Sequence, residues 1–166
     1  MDGMLSKLFS TPAMELALKA GDRESVFRDL IALVPGLDDG ARAGLLLSLL
    51  GRERLGSTGL GRGVALPHTR YAVPGVNRPQ IIFGRHNHGI AYGALDGAPV
   101  KLFFLLVSPD VSQHLQILAR LTRVLRDPHV LGELLAAATP QEIVDAIQEA
   151  EGRLEVRPSE VSASSV

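Results

Sequence analysis

Residues 55–68 read Leu55-Gly-Ser-Thr-Gly-Leu-Gly-Arg-Gly-Val-Ala-Leu-Pro-His68, a glycine-rich loop followed by a short apolar strand. Pro67 ends the strand, and His68 follows it directly. Glycines let the main chain approach a bound group closely and present backbone N–H donors to an anion. Because histidine titrates near pH 7, His68 can act there as base, nucleophile or ligand. A Pro-His pair is also common in plain turns, so the surrounding sequence must distinguish the two interpretations.

Outward from this stretch, apolar runs predict strands at 80–85 and 100–108. The second run is apolar on both faces, which is typical of a buried central strand, and Asp96-Gly97 between the runs predicts a tight turn. The first third of the chain has a helical pattern. Helices are predicted at 25–34, from Asp38 or Asp39 to residue 50, at 112–127, at 129–138 and at 139–151.

Helices on both sides of the strands in sequence predict an α/β fold, a mixed β-sheet sandwiched by α-helices. A chain of 166 residues fits one domain with a sizeable core. We assign residues 1–152 to this domain. Residues 153–166, rich in serine, glutamate and valine, are expected to form a loose C-terminal tail.

Composition excludes several classes of protein. The formal net charge is −1 and aromatic residues make up 4%, which argues against a nucleic-acid partner. No apolar run is long enough to cross a bilayer, and no secretory signal pattern is present. Cysteine is absent, which excludes disulfides and thiolate metal sites and fits the cytoplasm, where we expect the protein to lie.

Three further sets of residues are candidates for chemistry. His114 shares a helix face with Leu118 and Leu121, so it should point inward, either packing at the helix start or serving a site. Arg52 offers a planar guanidinium that suits the oxygens of an anion, the alternative being a solvated charge pair with Glu53. Ser57 and Thr58 can bind the oxygens of an anion or His68, or close the loop through their own backbone.

The remaining histidines favour plainer interpretations. His86 and His88 are spaced to share one strand face, but no carboxylate or cysteine with ligand spacing stands near them. We therefore interpret them as a surface strand end rather than a metal site. His129 follows Pro128 in a connection and is expected to be solvated. No metal and no cofactor are predicted.

The pair Arg52-Glu53, the loop Gly-Ser-Thr-Gly-Leu-Gly, the run Val-Ala-Leu-Pro-His-Thr-Arg and the helix segment 112–121 together form a long pattern of mixed residue types. Over about residues 5–150 the chain resembles enzyme IIA domains of the phosphotransferase system, in the fructose/mannitol superfamily, and most closely the free-standing nitrogen-regulatory type. The resemblance implies the same α/β fold. It also implies that Nε2 of His68 accepts a phosphoryl group from an HPr-type carrier, with His114 and Arg52 supporting it. The histidine-rich segment 84–92 departs from the family pattern.

The resemblance favours a phosphocarrier that acts mainly as a phosphorylation-dependent regulator, with a regulated target protein as second partner. Alternatives are a IIA component that relays phosphate to a separate IIB chain, and a non-catalytic interaction module; a metal-dependent hydrolase is a third interpretation. We expect His68 to be neutral, with its other ring nitrogen donating to a carbonyl or side chain. Leu60, Val64 and Leu66 are predicted to form an apolar rim for docking the carrier. No membrane insertion is expected, and the oligomeric state stays open.

Overall fold

A computed structural model of the chain describes the backbone of residues 5–164 and the side chains of residues 5–155. One five-stranded sheet forms its centre, in the order β1-β4-β5-β3-β2. The strands are β1 (Phe9–Glu15), β2 (Gly59–Gly61), β3 (Val64–Ala65), β4 (Gln80–Ile90) and β5 (Val100–Val107). The sheet is mixed, since β1 runs parallel to β4 and β3 parallel to β5, whereas the β4–β5 and β2–β3 pairs are antiparallel.

Two helical layers cover the sheet, and this confirms the predicted sandwich. The helices are α1 (Arg23–Ala32), α2 (Asp39–Arg54), α3 (Val111–Val124), α4 (Pro128–Ala136) and α5 (Pro140–Ser164). Alternate side chains of β5 enter opposite layers. Phe103 and Leu105 pack with α1 and α2, whereas Phe104 and Leu106 pack with α3, α4 and α5. β5 is therefore buried on both faces, as its continuous apolar run predicts.

The N-terminal prediction was wrong in one respect, because β1 is a strand within a region whose pattern is helical. β1 pairs only with β4 and lies at the edge of the sheet, where Pro12 is tolerated since an edge strand need not donate on its outer side. Its burial does not alternate regularly, so the sequence carries no period-2 signal. Pairing with β4 overrides the local preference, and this pairing is not visible in the sequence.

α2 extends past its predicted end at residue 50. Asp38 caps its N-terminus by accepting from the backbone N–H of Ala41 at 2.7 Å, as predicted. Gly51 does not end the helix, although glycine costs about 1 kcal/mol in a helix interior. Burial of the apolar side chains Leu45, Leu46 and Leu49 on the same helix offsets this cost. The consequence is that Arg52 and Glu53 lie in the last helical turn rather than in a loop.

The final helix is also longer than predicted. Its start is a capping box: Thr139 Oγ1 accepts from the Glu142 backbone N–H at 3.3 Å, and Glu142 accepts from the Thr139 N–H. The helix ends at Ser164 rather than near residue 151, so helical backbone occupies most of the segment expected to be loose. The domain boundary at residue 152 stays a prediction. In the segment 5–164, no helix combines the length and apolar character needed to span a bilayer.

Candidate functional site

His68 lies just after the end of β3, beside the central strand β5. Its backbone forms an isolated parallel bridge to Leu106 of β5, and the Pro67 carbonyl accepts from the Leu106 N–H at 3.0 Å. The half-buried ring of His68 places Nδ1 at 2.7 Å from the Leu66 carbonyl oxygen. A carbonyl can only accept, so Nδ1 carries the proton, in agreement with the expectation that one ring nitrogen of a neutral His68 donates to a carbonyl. Nε2 of the neutral ring therefore keeps its lone pair.

Several neighbours act on the pKa of His68, which lies below its usual value of 6.5. Burial is the main cause, because it disfavours the charged imidazolium, and the positive charge of Arg52 acts in the same direction. The hydrogen bond to Leu66 and the charge of Glu53 oppose this shift. The net effect is an imidazole that is neutral at pH 7 and available as a nucleophile.

His114 lies beside His68, with ring centroids 5.4 Å apart. It stands in the first turn of α3, which Asp110 caps by accepting from the Gln113 N–H at 2.8 Å. His114 is only 6% exposed, which confirms that its side chain points inward. Nε2 of His114 is buried and has no hydrogen-bond partner within the described part of the chain. Burial, followed by the nearby His68, lowers the pKa of His114 to about 4, so this ring is neutral.

Arg52 approaches the same place from the end of α2. Its Nη1 donates to the Gly56 carbonyl at 2.8 Å, and its charge is near enough to His68 to lower the pKa of that ring. His114 thus lies beside His68, and Arg52 is near enough to act on His68 through its charge. The arrangement offers a neutral nucleophilic nitrogen, a buried imidazole beside it and a cation in the vicinity.

Ser57 and Thr58 make contacts within the loop. Ser57 Oγ accepts from the Gly59 N–H at 3.0 Å, which closes the turn. The buried hydroxyl of Thr58 donates to Glu53 and also contacts Tyr92. The Ser57 contact favours the loop-closing alternative for that residue, whereas the Thr58 hydroxyl binds side chains outside its own turn. Any contact of either residue with phosphoryl oxygens stays a prediction.

A mostly buried cluster of Glu53, Tyr92 and Arg23 with Thr58 holds this loop in place. From its position beside Arg52, Glu53 was expected to have a structural role, whereas Tyr92 and Arg23 were not predicted to take part in the site. No sequence signal links Tyr92 or Arg23 to the loop, since they lie 34 and 35 residues from Thr58.

The predicted apolar rim requires a correction. Val64 and Leu66 are each 1% exposed and belong to the core, because consecutive strand residues pack into the two covered faces of the sheet. Only Leu60 of the predicted rim reaches solvent, at 43% exposure. Other exposed apolar side chains lie in the segments that carry the site residues, namely Leu55, Tyr71, Val111 and Leu115.

His86 and His88 lie within β4 rather than at its end. His86 is buried, and its Nδ1 accepts from the backbone N–H groups of His88 at 3.3 Å and Gly89 at 3.0 Å. It therefore shapes the irregular part of β4 instead of lying on the surface. In the part of the chain that the structure describes, no group of three or more potential metal ligands comes together. His129 is exposed as predicted, with Nε2 at 3.3 Å from Glu133 Oε1.

Comparison with known proteins connects this geometry to a family. A family model described as phosphoenolpyruvate-dependent sugar phosphotransferase system, EIIA 2, matches residues 7–150. The chain belongs to this family. As an enzyme IIA domain, it is 32% identical over 145 residues to the nitrogen regulatory protein of Bradyrhizobium diazoefficiens, with 86% of this chain and 94% of that protein covered.

One further sequence relative and one solved structure are also similar to this IIA domain. The fructose-specific EIIABC component of Bacillus subtilis is 30% identical over 150 residues; the match covers 87% of the IIA domain's chain but spans only 23% of that longer protein. The crystal structure of nitrogen regulatory protein IIA-Ntr from Neisseria meningitidis superposes with a TM-score of 0.76 at 28% identity, covering 87% of this chain and 99% of that one. The mixed sheet and five helices are thus shared with known IIA proteins.

The low pKa of His114 predicts how the stability of the IIA domain depends on pH. The unfolded chain protonates this residue near pH 6.5, whereas the folded chain does so only near pH 4. Unfolded chains therefore bind more protons in that interval, and the free energy of unfolding should fall by roughly 3 kcal/mol as the pH drops through it.

Urea unfolding of wild type and His114→Gln at pH 7 and 4.5 measures this pH dependence. The variant should lose less stability than wild type, and His129→Gln should behave like wild type. Equal pH dependence in wild type and His114→Gln would contradict the assignment.

Proposed function

We propose that this IIA domain accepts a phosphoryl group on Nε2 of His68 from an HPr-type phosphohistidine protein. One observation carries the proposal: the Nδ1–H of His68 is bound to the Leu66 carbonyl, which leaves Nε2 as the nucleophilic atom. The adjacent Nε2 of His114, buried without a hydrogen-bond partner among the described residues, supports it. A buried polar atom of this kind calls for an explanation, and a phosphoryl oxygen on His68 would accept from it.

The chemistry follows from the geometry. The lone pair of His68 Nε2 attacks phosphorus in line, the bond between phosphorus and the carrier's histidine nitrogen breaks, and the new N–P bond forms. The proton stays on Nδ1, and the ring becomes cationic. The Leu66 carbonyl stabilises that cation, Arg52 neutralises the phosphoryl oxygens, and His114 donates from Nε2. No step requires a metal or cofactor.

Docking of the carrier needs an apolar surface around His68. Leu55 and Leu60 flank the loop, and Val111 and Leu115 flank His114 on α3, all exposed. A modest interface of this kind suits a partner that must leave after transfer. We assign these side chains to the docking surface, in place of Val64 and Leu66.

We further propose that regulation is the main role. The match covers 94% of the Bradyrhizobium nitrogen regulatory protein, and this similarity supports a domain that binds a target according to its phosphorylation state. The absence of cysteine agrees with a cytoplasmic protein. The second candidate is relay to a separate IIB chain, favoured by the similarity to the fructose-specific EIIABC component.

Phosphotransfer from phosphoenolpyruvate tests the proposal. The pure domain is mixed with enzyme I, an HPr-type carrier and phosphoenolpyruvate, and its mass is measured. We expect one added phosphoryl group that is labile in acid and stable in base. Onward transfer of the phosphoryl group to a fructose-type IIB chain would support relay, instead of regulation, as the main role. A domain that stays unlabelled with each cognate carrier would be a non-catalytic interaction module.

A further inference from the structure

A buried carboxylate lies beneath the loop that leads to His68. The side chain of Glu53 is 1% exposed and is surrounded by donors. It accepts from the Thr58 backbone N–H at 3.2 Å, from the Thr58 hydroxyl, and from the Tyr92 hydroxyl at 2.8 Å. Burying a carboxylate costs several kcal/mol unless it is paired and hydrogen-bonded, so this arrangement calls for a role.

Arg23 and Tyr92 also contact the Glu53 carboxylate and each other. Arg23 Nη1 lies 3.8 Å from Glu53 Oε2, and it donates to the Tyr92 carbonyl at 3.0 Å. Its guanidinium also lies over the Tyr92 ring, 5.6 Å from the centroid. Burial and the charge of Glu53 raise the pKa of Tyr92, so the phenol stays protonated and serves as a donor. These contacts hold the carboxylate in one orientation.

Hydrogen bonds continue from Glu53 to the imidazole of His68. The carboxylate binds the N–H and the hydroxyl of Thr58, and the Thr58 carbonyl accepts from the Leu66 N–H at 3.0 Å. The Leu66 carbonyl in turn accepts from His68 Nδ1 at 2.7 Å. Both backbone groups of Leu66 are thus hydrogen-bonded: its N–H binds Thr58, which Glu53 holds, and its carbonyl binds His68.

We propose that Glu53 is a positioning residue for His68, which acts through Thr58 and Leu66 to hold the acceptor ring in one orientation and in its Nδ1–H tautomer. The expected effect of Glu53 on phosphoryl transfer rests on the proposed function, whereas its effect on the orientation and tautomer of the His68 ring does not. The charge of Glu53 adds to this, because it favours the cationic ring that transfer creates.

The test compares two buried carboxylates. Glu53→Gln removes the charge and one acceptor oxygen beneath the loop. Glu151→Gln is the matched control, because Glu151 is also 1% exposed in its side chain and binds a backbone N–H, that of Leu5, and Arg120 instead of the loop. Nitrogen-15 NMR of the histidine rings reports the tautomer and the pKa of His68 in the unphosphorylated protein. A single-turnover assay with phosphorylated carrier reports the transfer rate.

In Glu53→Gln we expect His68 to lose its preference for the Nδ1–H tautomer and its pKa to fall. Transfer should slow by roughly 10-fold, since loss of alignment of a reacting group lowers the rate even where the group remains. Glu151→Gln should leave the tautomer, the pKa and the rate at their wild-type values. Tyr92→Phe removes one donor and keeps the carboxylate, so a smaller change in the same direction is expected.

A Glu53→Gln protein with wild-type tautomer, pKa and rate would overturn the positioning role. If that variant does not fold, Tyr92→Phe decides, and unchanged His68 signals in it would likewise overturn the proposal. A wild-type protein that takes no phosphate while the tautomer still shifts in Glu53→Gln would refute the proposed function and leave the positioning role standing.

Discussion

His68→Ala should abolish phosphoryl acceptance, with the rate of labelling falling by more than ~1,000-fold. The reason is that the Leu66 carbonyl occupies Nδ1 of His68, which leaves Nε2 as the acceptor atom that we propose, with the His114 ring centroid 5.4 Å from that of His68. His114 does not replace it, because its ring is buried. Intact-mass analysis after incubation with phosphoenolpyruvate, enzyme I and carrier measures the loss.

The control for this prediction is His129→Ala, which alters an exposed histidine on α4. That variant should be labelled at the wild-type rate, and His68→Ala should retain a cooperative unfolding transition because the ring is only half-buried. Labelled His68→Ala protein would show that the acceptor is another residue. It would also remove the basis for assigning roles to Arg52 and His114.

His114→Ala should slow phosphoryl transfer by roughly 10²–10³-fold while leaving His68 as the site of modification. A preorganised donor in a site shielded from water stabilises charge on the transferring group, and removing one such donor commonly costs this much. We propose that the buried Nε2 of His114, in the ring beside His68, is the donor of this kind. Single-turnover kinetics with phosphorylated carrier measures the rate.

His114→Gln separates the donor from the ring, because glutamine keeps an N–H group in a side chain that remains uncharged. It should recover part of the rate lost in His114→Ala. A rate in His114→Ala equal to that of wild type would assign this residue to packing at the start of α3. Unfolding free energies of both variants identify any loss that comes from stability instead.

The sequence predicted much of the site because its chemistry lies in local patterns. A glycine loop, a short strand and Pro67-His68 are contiguous, and the face of α3 that carries His114 follows from helical spacing. The caps at Asp38, Asp110 and Thr139 were also predictable, since each depends on residues three positions apart. The burial of Val64 and Leu66 was not, because it depends on the helices that cover both faces of the sheet.

By itself the sequence determined the fold class, because periodicity is a property of the local chain, and its motifs carried the family resemblance that made His68 the acceptor candidate. Tertiary structure alone decided that β1 is a strand and that α2 continues through Glu53. It also decided that Tyr92 and Arg23 contact Glu53 next to the loop that leads to His68. Each of these depends on contacts between segments distant in sequence. Such contacts override local preference when the burial they allow outweighs it.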